Sequence, residues 1–351
     1  VFISVVDSAH KPPIFERARY AYSIGEGVAK GTVVGTVKAA VTDGAGRSNV
    51  YYSIYSGDPD GLFIIDGATG IITTSSPLDH ETKSSVLLNI QATSGDPPVY
   101  GHTQVNIEIE DVNDNAPEFE SPLVRISVPE NAEVGSPLYS AHASDRDSGR
   151  NGAVEYKMAG NPYGGLFKVD AKSGDLTVAR RLDYETSQRQ SLVITATDSG
   201  VPPLAANLTV MVEVQDVNDN APVFERKEYS LRIVESAAVN TQLLQLTAID
   251  ADSGNNARLT YRLIAANATD APDAAFGVFP ATGWLYLRAP LDRERRDRYR
   301  LTVAASDNGV PSATATALVL VQVLDANDND PVFAGDSYEF AIEENLRRGT
   351  F

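Results

Sequence analysis

The fold this sequence predicts is all-β: Ig-like β-sandwich domains in tandem, arranged end to end. Three observations carry that reading. An acidic nine-residue phrase recurs at a domain-sized period. A strand with strict two-residue alternation precedes each acidic copy. No segment holds a sustained helical periodicity.

The phrase reads DVNDNAPEF at 111–119, DVNDNAPVF at 216–224 and DANDNDPVF at 325–333, with a fourth, altered copy, DSAHKPPIF, at 7–15. Its opening residues, Asp7, Asp111, Asp216 and Asp325, stand at intervals of 104, 105 and 109. Other marks keep the same beat. An acid recurs at Glu26, Glu130, Glu235 and Glu344, and LDHE, LDYE and LDRE begin at Leu78, Leu182 and Leu291. A period near one hundred is a unit that folds alone, longer than a solenoid repeat.

The strands before the acidic phrases share one parity. Thr103, Val105, Ile107 and Ile109 alternate with polar neighbours, and Leu208, Val210, Val212 and Val214 match them, as do Ala317, Val319, Val321 and Val323. A slip of one residue would turn each apolar face to water, so shared parity predicts a shared core. Units of this size, with roughly seven short strands and no cysteine, fit an Ig-like sandwich. Boundaries fall just after each phrase. The reading is the end of one repeat at 1–14, complete repeats at 15–116, 117–221 and 222–331, and the start of another at 332–351. Too few residues separate the repeats for a flexible linker, so the acids are expected at the joints.

Composition narrows the function. The 351 residues exceed one compact core, and 42% hydrophobic content is that of folded protein. A net charge of -18 disfavours nucleic acid, whose phosphates it would repel. The absence of cysteine excludes disulfides, thiolate metal sites and cysteine nucleophiles. No apolar run is long enough to span a bilayer, although the segment could be cut from a longer, membrane-anchored protein. His10, His80, His102 and His142 have no metal-ligand spacing and are read mostly as solvated. The acid pair in LDYE could suggest a glycosidase, but it recurs in every repeat as scaffold residues do, so no enzyme is expected. Trp284, in TGWLYL, falls on an internal strand. Asn207 and Asn267 fit Asn-x-Ser/Thr and are candidate glycosylation sites, Asn267 within an insertion. The run LDRERRDRYR reads as a solvated surface, with a partner patch as the alternative.

The acidic phrase suits calcium. That ion takes six to eight oxygens from carboxylates, amides, backbone carbonyls and water. Asp, Asn, Asp and Asn within five residues supply such oxygens, and an extended segment turns alternate side chains to opposite sides. An EF-hand does not fit. DRDSGRNGAVEY has Arg150 at its sixth position and Tyr156 at its twelfth, where glycine and glutamate are required.

With PEN, LDYE, DVNDNAP, DRDSG and TATD in this order and spacing, the whole chain resembles extracellular cadherin repeats. It is similar to giant, non-strand-swapping cadherins of the Fat, Dachsous or Flamingo type, or to a long invertebrate relative. The resemblance implies Greek-key sandwiches in a row, with about three Ca2+ at each complete joint. It also implies calcium-dependent cell–cell adhesion or recognition with another cadherin ectodomain, homophilic or heterophilic. The location would be extracellular, at the plasma membrane as part of the full-length protein. A structural spacer that holds adhesive domains elsewhere is the alternative. No unit carries a tryptophan at its front, where strand-exchanging cadherins have one.

Carried over by position, the first joint would use Glu26, Asp79, Glu81, Asp111, Asn113, Asp114 and Asn115, then Asp145, Asp147, Asn151 and Asp198. The second would use Glu130, Asp183, Glu185, Asp216, Asn218, Asp219 and Asn220, then Asp250, Asp252, Asn256 and Asp307. The third offers Glu235, Asp292, Glu294, Asp325, Asn327, Asp328 and Asn329, and its upper half would lie beyond Phe351. Without metal, the like charges at each complete joint repel; with it they clamp two domains. At 7–15 the pattern fails. Ala9, His10 and Lys11 stand at the Asn-Asp-Asn positions, Ala45 replaces the second acid of DRD while Asp43 survives, and Ser94 replaces the aspartate of TATD. This joint is expected to be Ca-free and open to bending.

Overall fold

The computed structural model describes residues 11–41, 49–160, 162–264, 274–344 and 347–349. The chain forms two compact units, 1–215 and 216–351. The first holds two β-sandwiches and the second holds one.

In the first sandwich, Arg19–Gly25, Val99–Glu110, Ser85–Ser94 and Tyr51–Ser56 form one sheet in that order, and Val33–Thr36, Ile71–Thr74 and Phe63–Ile65 form the other. The first strand runs parallel beside the last, Tyr20 opposite Val105, while the other strand pairs of that sheet are antiparallel. The second sandwich repeats this plan. Leu123–Pro129, Ala205–Gln215, Arg189–Thr197 and Glu155–Met158 face Pro137–Ser140, Asp175–Val178 and Phe167–Val169. In the second unit, Glu228–Val234, Thr314–Leu324, Arg298–Ser306 and Thr260–Ile264 face Gln242–Gln245, Trp284–Leu287 and Phe276–Val278.

The alternating strands bury the predicted face. Val105, Ile107 and Ile109 are fully enclosed, as are Val210 and Val319, and Thr103 and Ala317 are buried with them. Ile72, Leu176 and Leu285, fully buried, meet these rows from the opposite sheets. Each such side chain contributes roughly 1.5–3 kcal/mol by leaving water. Trp284 lies half-buried at the start of an internal strand.

A short opening strand begins each sandwich and sets the top loops. Ile14 pairs with Ala40, Glu118 with Ser144 and Val223 with Ile249. One tyrosine fastens each pair from below. The hydroxyls of Tyr52, Tyr156 and Tyr261 accept from the amides of Ala39, Ala143 and Ala248 at 2.8, 2.9 and 3.0 Å. The start of a further repeat expected at 332–351 forms no strand among the described residues, and Val332 and Phe333 are exposed.

Candidate metal centre

The foot of the first sandwich holds a buried acid. Glu26 follows the strand Arg19–Gly25, and its carboxylate accepts from the amides of His80, at 2.5 Å, and Val112, at 2.7 Å. Those amides belong to the LDHE turn and to the linker, so one side chain ties three stretches of chain together. Glu81 and Asp111 each bring a carboxylate oxygen within 4.8 Å of Glu26. Glu81 also belongs to a second such group with Asp114 and Asp147. Two acidic clusters therefore share Glu81.

Above them, linker side chains are locked to the second sandwich. Asp111 Oδ2 accepts from the Ser148 amide and from Asn151 Nδ2, at 3.1 and 2.9 Å. Asn113 Nδ2 donates to both oxygens of Asp198 at 3.2 Å and to the Pro202 carbonyl at 2.6 Å. Asn115 Nδ2 donates to Asp114 and Asp147, each at 2.7 Å. The Asp147 amide in turn donates to Asp145 Oδ1 at 2.9 Å.

These bonds leave three oxygens over. Asp111 Oδ1, Asn113 Oδ1 and Asp145 Oδ2 are buried without a hydrogen-bond partner. The second unit repeats the trio atom for atom in Asp216 Oδ1, Asn218 Oδ1 and Asp250 Oδ2. An orphaned buried oxygen costs roughly 1–3 kcal/mol, more if charged. Oxygen-only donors, mostly anionic and left without protons to accept, fit a hard cation such as calcium.

Ionisation follows the crowding. Loss of hydration, with the neighbouring acids, pushes Glu81 up to about 7. Asp114 and Asp145 rise for the same reason, as does Asp250 in the second unit. Asp79 behaves differently. Its two oxygens accept from the Thr82 amide and hydroxyl, which lowers its pKa, and Asp183 makes the same turn with Thr186. These two aspartates are braces of the turn that carries Glu81 and Glu185.

Within the second unit, Asp216 Oδ2 accepts from Ser253 and from Asn256 Nδ2, and Asn220 Nδ2 donates to Asp219 and Asp252. Asn218 donates to the Pro311 carbonyl at 2.6 Å, and buried Asp307 accepts from the amides of Gly309 and Ala313. In the first unit, Glu130 is buried and accepts from the Tyr184 amide at 2.7 Å. The third set is partial. Glu235 accepts from the amides of Arg293 and Ala326 and lies with Asp292 and Glu294 in one acidic group. Arg293 Nη1 stands 3.3 Å from Asp325 and 3.5 Å from Glu294, a positive charge among these acids. Asp328 Oδ1 accepts from Asn329 Nδ2 at 2.9 Å, and among the described residues no oxygen of Asn327 is orphaned.

Sequence reasoning missed several supports. A Cβ on Gly200 would meet Asn113 Cγ at 2.1 Å, and one on Gly309 would meet Asn218 Cγ at 2.3 Å. The signal was present, a glycine two residues after Asp198 and Asp307. His80, expected in solvent, is half-buried with Nδ1 2.6 Å from the Ile109 carbonyl, which raises its pKa. Of the candidate glycosylation sites, Asn207 is exposed on its strand, while Asn267 lies outside the described residues. So do Asp7, Ala9, His10, Asp43 and Ala45 of the altered joint; Lys11 is exposed and Ser94 buried.

The cadherin domain family matches residues 20–110, 124–215 and 229–324. Protein dachsous of Drosophila melanogaster is 60% identical over the whole chain, which spans 10% of that relative. Human protocadherin Fat 4 is 40% identical, again over the whole chain and 7% of its own length. The crystal structure of mouse cadherin-23 EC22-24 superposes with a TM-score of 0.77 at 29% identity, covering 90% of this chain and 99% of that one. Protocadherin gamma B2 extracellular domains 1-5 superpose at 0.79 and 31% identity, over 92% of this chain and 62% of that one. The chain thus spans 7% to 12% of the length of such curated relatives. It is extracellular, a stretch of the ectodomain of a plasma-membrane cadherin, and no helix among the described residues could cross a membrane. With all three sandwiches matched, the chain belongs to the cadherin family.

Proposed function

We propose that this segment, with repeats at 15–116, 117–221 and 222–331, serves calcium-dependent cell–cell adhesion or recognition with another cadherin ectodomain. The observation that carries the reading is the matched trio of orphaned oxygens beside Asp111 and Asp216. Bound calcium would supply the positive charge those oxygens lack and bridge acids from separate stretches of chain. Glu26, Glu81, Asp111, Asp114, Asp147 and the linker asparagines would hold the ions of the first complete joint, with Asp79 and Asp183 also serving as braces. Glu130, Glu185, Asp216, Asp219 and Asp252 would act likewise for the second.

The chain's own residues do the rest. Glu26 fixes the linker amide, Asn113 bonds the linker to the next repeat, and crowded carboxylates repel until neutralised. The joint at 7–15, with His10 in an acid's position and Lys11 in the asparagine's beside it, would be Ca-free and bendable. The absence of any catalytic role and a homophilic or heterophilic cadherin partner belong to the same proposal. Isothermal titration of the metal-stripped chain with calcium tests it. About three ions per complete joint, abolished in pairs with Asp111→Ala and Asp216→Ala, support it. Heats unchanged by both substitutions contradict it.

A spacer role for this segment within a long ectodomain is the second reading, favoured by the linker's rigid attachment to the second sandwich. Beads coated with the segment aggregate in calcium if it adheres, and stay dispersed if it only spaces.

A further inference from the structure

The outward faces of the three four-stranded sheets are built to one register and differ in charge. In the first repeat the last row to span three strands before the linker is Ser23–Glu108–Ser85. In the second it is Ser127–Glu213–Arg189, where Arg189 pairs with Glu213 at 3.1 Å. In the third it is Arg232–Gln322–Arg298. The central acid has become an amide and both neighbours have become arginines, so the row passes from one negative charge through neutrality to two positive ones.

The next row continues the change. Ala21–Asn106–Leu87 and Arg125–Met211–Ser191 give way to Ser230–Leu320–Arg300. Arg232, Arg298 and Arg300 are all exposed. No carboxylate among the described residues pairs with Arg232 or Arg300, and Asp297 reaches only 3.8 Å from Arg298. Together these residues line an open groove of about 860 Å³, floored by Ser230, Leu320 and Gln322. At its end Arg296 stacks 4.4 Å over the Tyr299 ring.

In a chain of net charge -18 this strip is an exception that nothing in the fold requires. We propose that it is a docking strip for a sulfated glycosaminoglycan chain. Guanidinium forks match sulfate and carboxylate groups in bidentate geometry. Arg232 and Arg298 flank Gln322 at two strand spacings, about 10 Å apart, and Arg300 follows about 7 Å along the strand. A narrow linear polyanion in the groove keeps its charges within a Debye length, about 8 Å, of these arginines and screened from the acids elsewhere. A globular acidic partner would need roughly 800 Å² of contact, and so would meet the acidic surroundings too.

The test is binding of a size-defined heparin oligosaccharide to the whole chain in saturating calcium. Gln322→Glu restores the residue type that the sister repeats carry, so it folds, and it weakens binding about fivefold or more. Arg232→Ser with Arg300→Ser weakens binding about tenfold or more and flattens the salt dependence by about one unit of slope per arginine lost. Arg189→Ser, on the second repeat, changes nothing. The proposal fails if the chain does not bind, if Gln322→Glu binds as the parent does, or if desulfated oligosaccharide binds equally. Anionic vesicles or polyglutamate binding in place of the oligosaccharide also overturn it.

Discussion

Gly200 lies against Asn113 so closely that a single added carbon would overlap the amide, 2.1 Å from Asn113 Cγ. The glycine comes from the second repeat and the asparagine from the linker before it. The contact brings Asn113 to Asp198 and leaves its Oδ1 buried without a partner.

Gly200→Ala should therefore displace the linker. Overpacking costs about 1–3 kcal/mol. The loss is expected in the calcium-dependent part of thermal stability, with the affinity of the 111 joint reduced and the 216 joint intact. Gly309→Ala should reverse the pattern. Calcium titrations of both variants check this; equal loss at both joints would contradict it.

Glu81 sits in both acidic clusters of its joint. Glu81→Gln removes one of several crowded charges. Without calcium the variant should melt no lower than the parent, because repulsion is relieved. With calcium it should melt lower, with affinity reduced about tenfold, near 1.4 kcal/mol. Differential scanning calorimetry with chelator and with calcium separates the two signs.

Acid should mimic the ion. Glu81 titrates at about 7, against an ordinary 4.5. A raised carboxyl pKa means the folded state holds protons that the unfolded state has released. Its contribution is full below the ordinary value and lost as pH climbs through about 7. Metal-free chain should thus lose stability between pH 4.5 and 7, while calcium affinity rises over the upper part of that window. Melting curves at several pH values, with and without calcium, show whether the two trends oppose each other.

Tyr156→Phe leaves the Ala143 amide without its acceptor. The strand it fastens, Ala143–Ser144, leads directly into Asp145 and Asp147. The cost should be about 1–3 kcal/mol in chemical denaturation of the second repeat, and calcium should recover part of it by mass action.

The acids were legible in the sequence because ligand side chains must recur wherever the same charge problem recurs. Strand parity was legible for a similar reason, since one face of each strand must be dry. Gly200, Tyr156 and His80 were not. Their roles depend on what a fold places beside them, and Gly200 and Asn113 are far apart in sequence. Asp79 was read only as a ligand, because sequence does not show that Thr82 occupies both its oxygens. The row Arg232–Gln322–Arg298 was hidden for the same cause. It exists only once pairing register is known, and the basic run around Arg296 then becomes one edge of a strip.

The central claim is that linker acids at 111 and 216 hold ions while the altered joint at 7–15 does not. Anomalous diffraction from crystals grown in calcium tests it most directly. The account predicts peaks beside Asp111 and Asp145, and beside Asp216 and Asp250, with none beside Lys11. Peaks at Lys11, or bare density at Asp111 and Asp216 in saturating calcium, would contradict it.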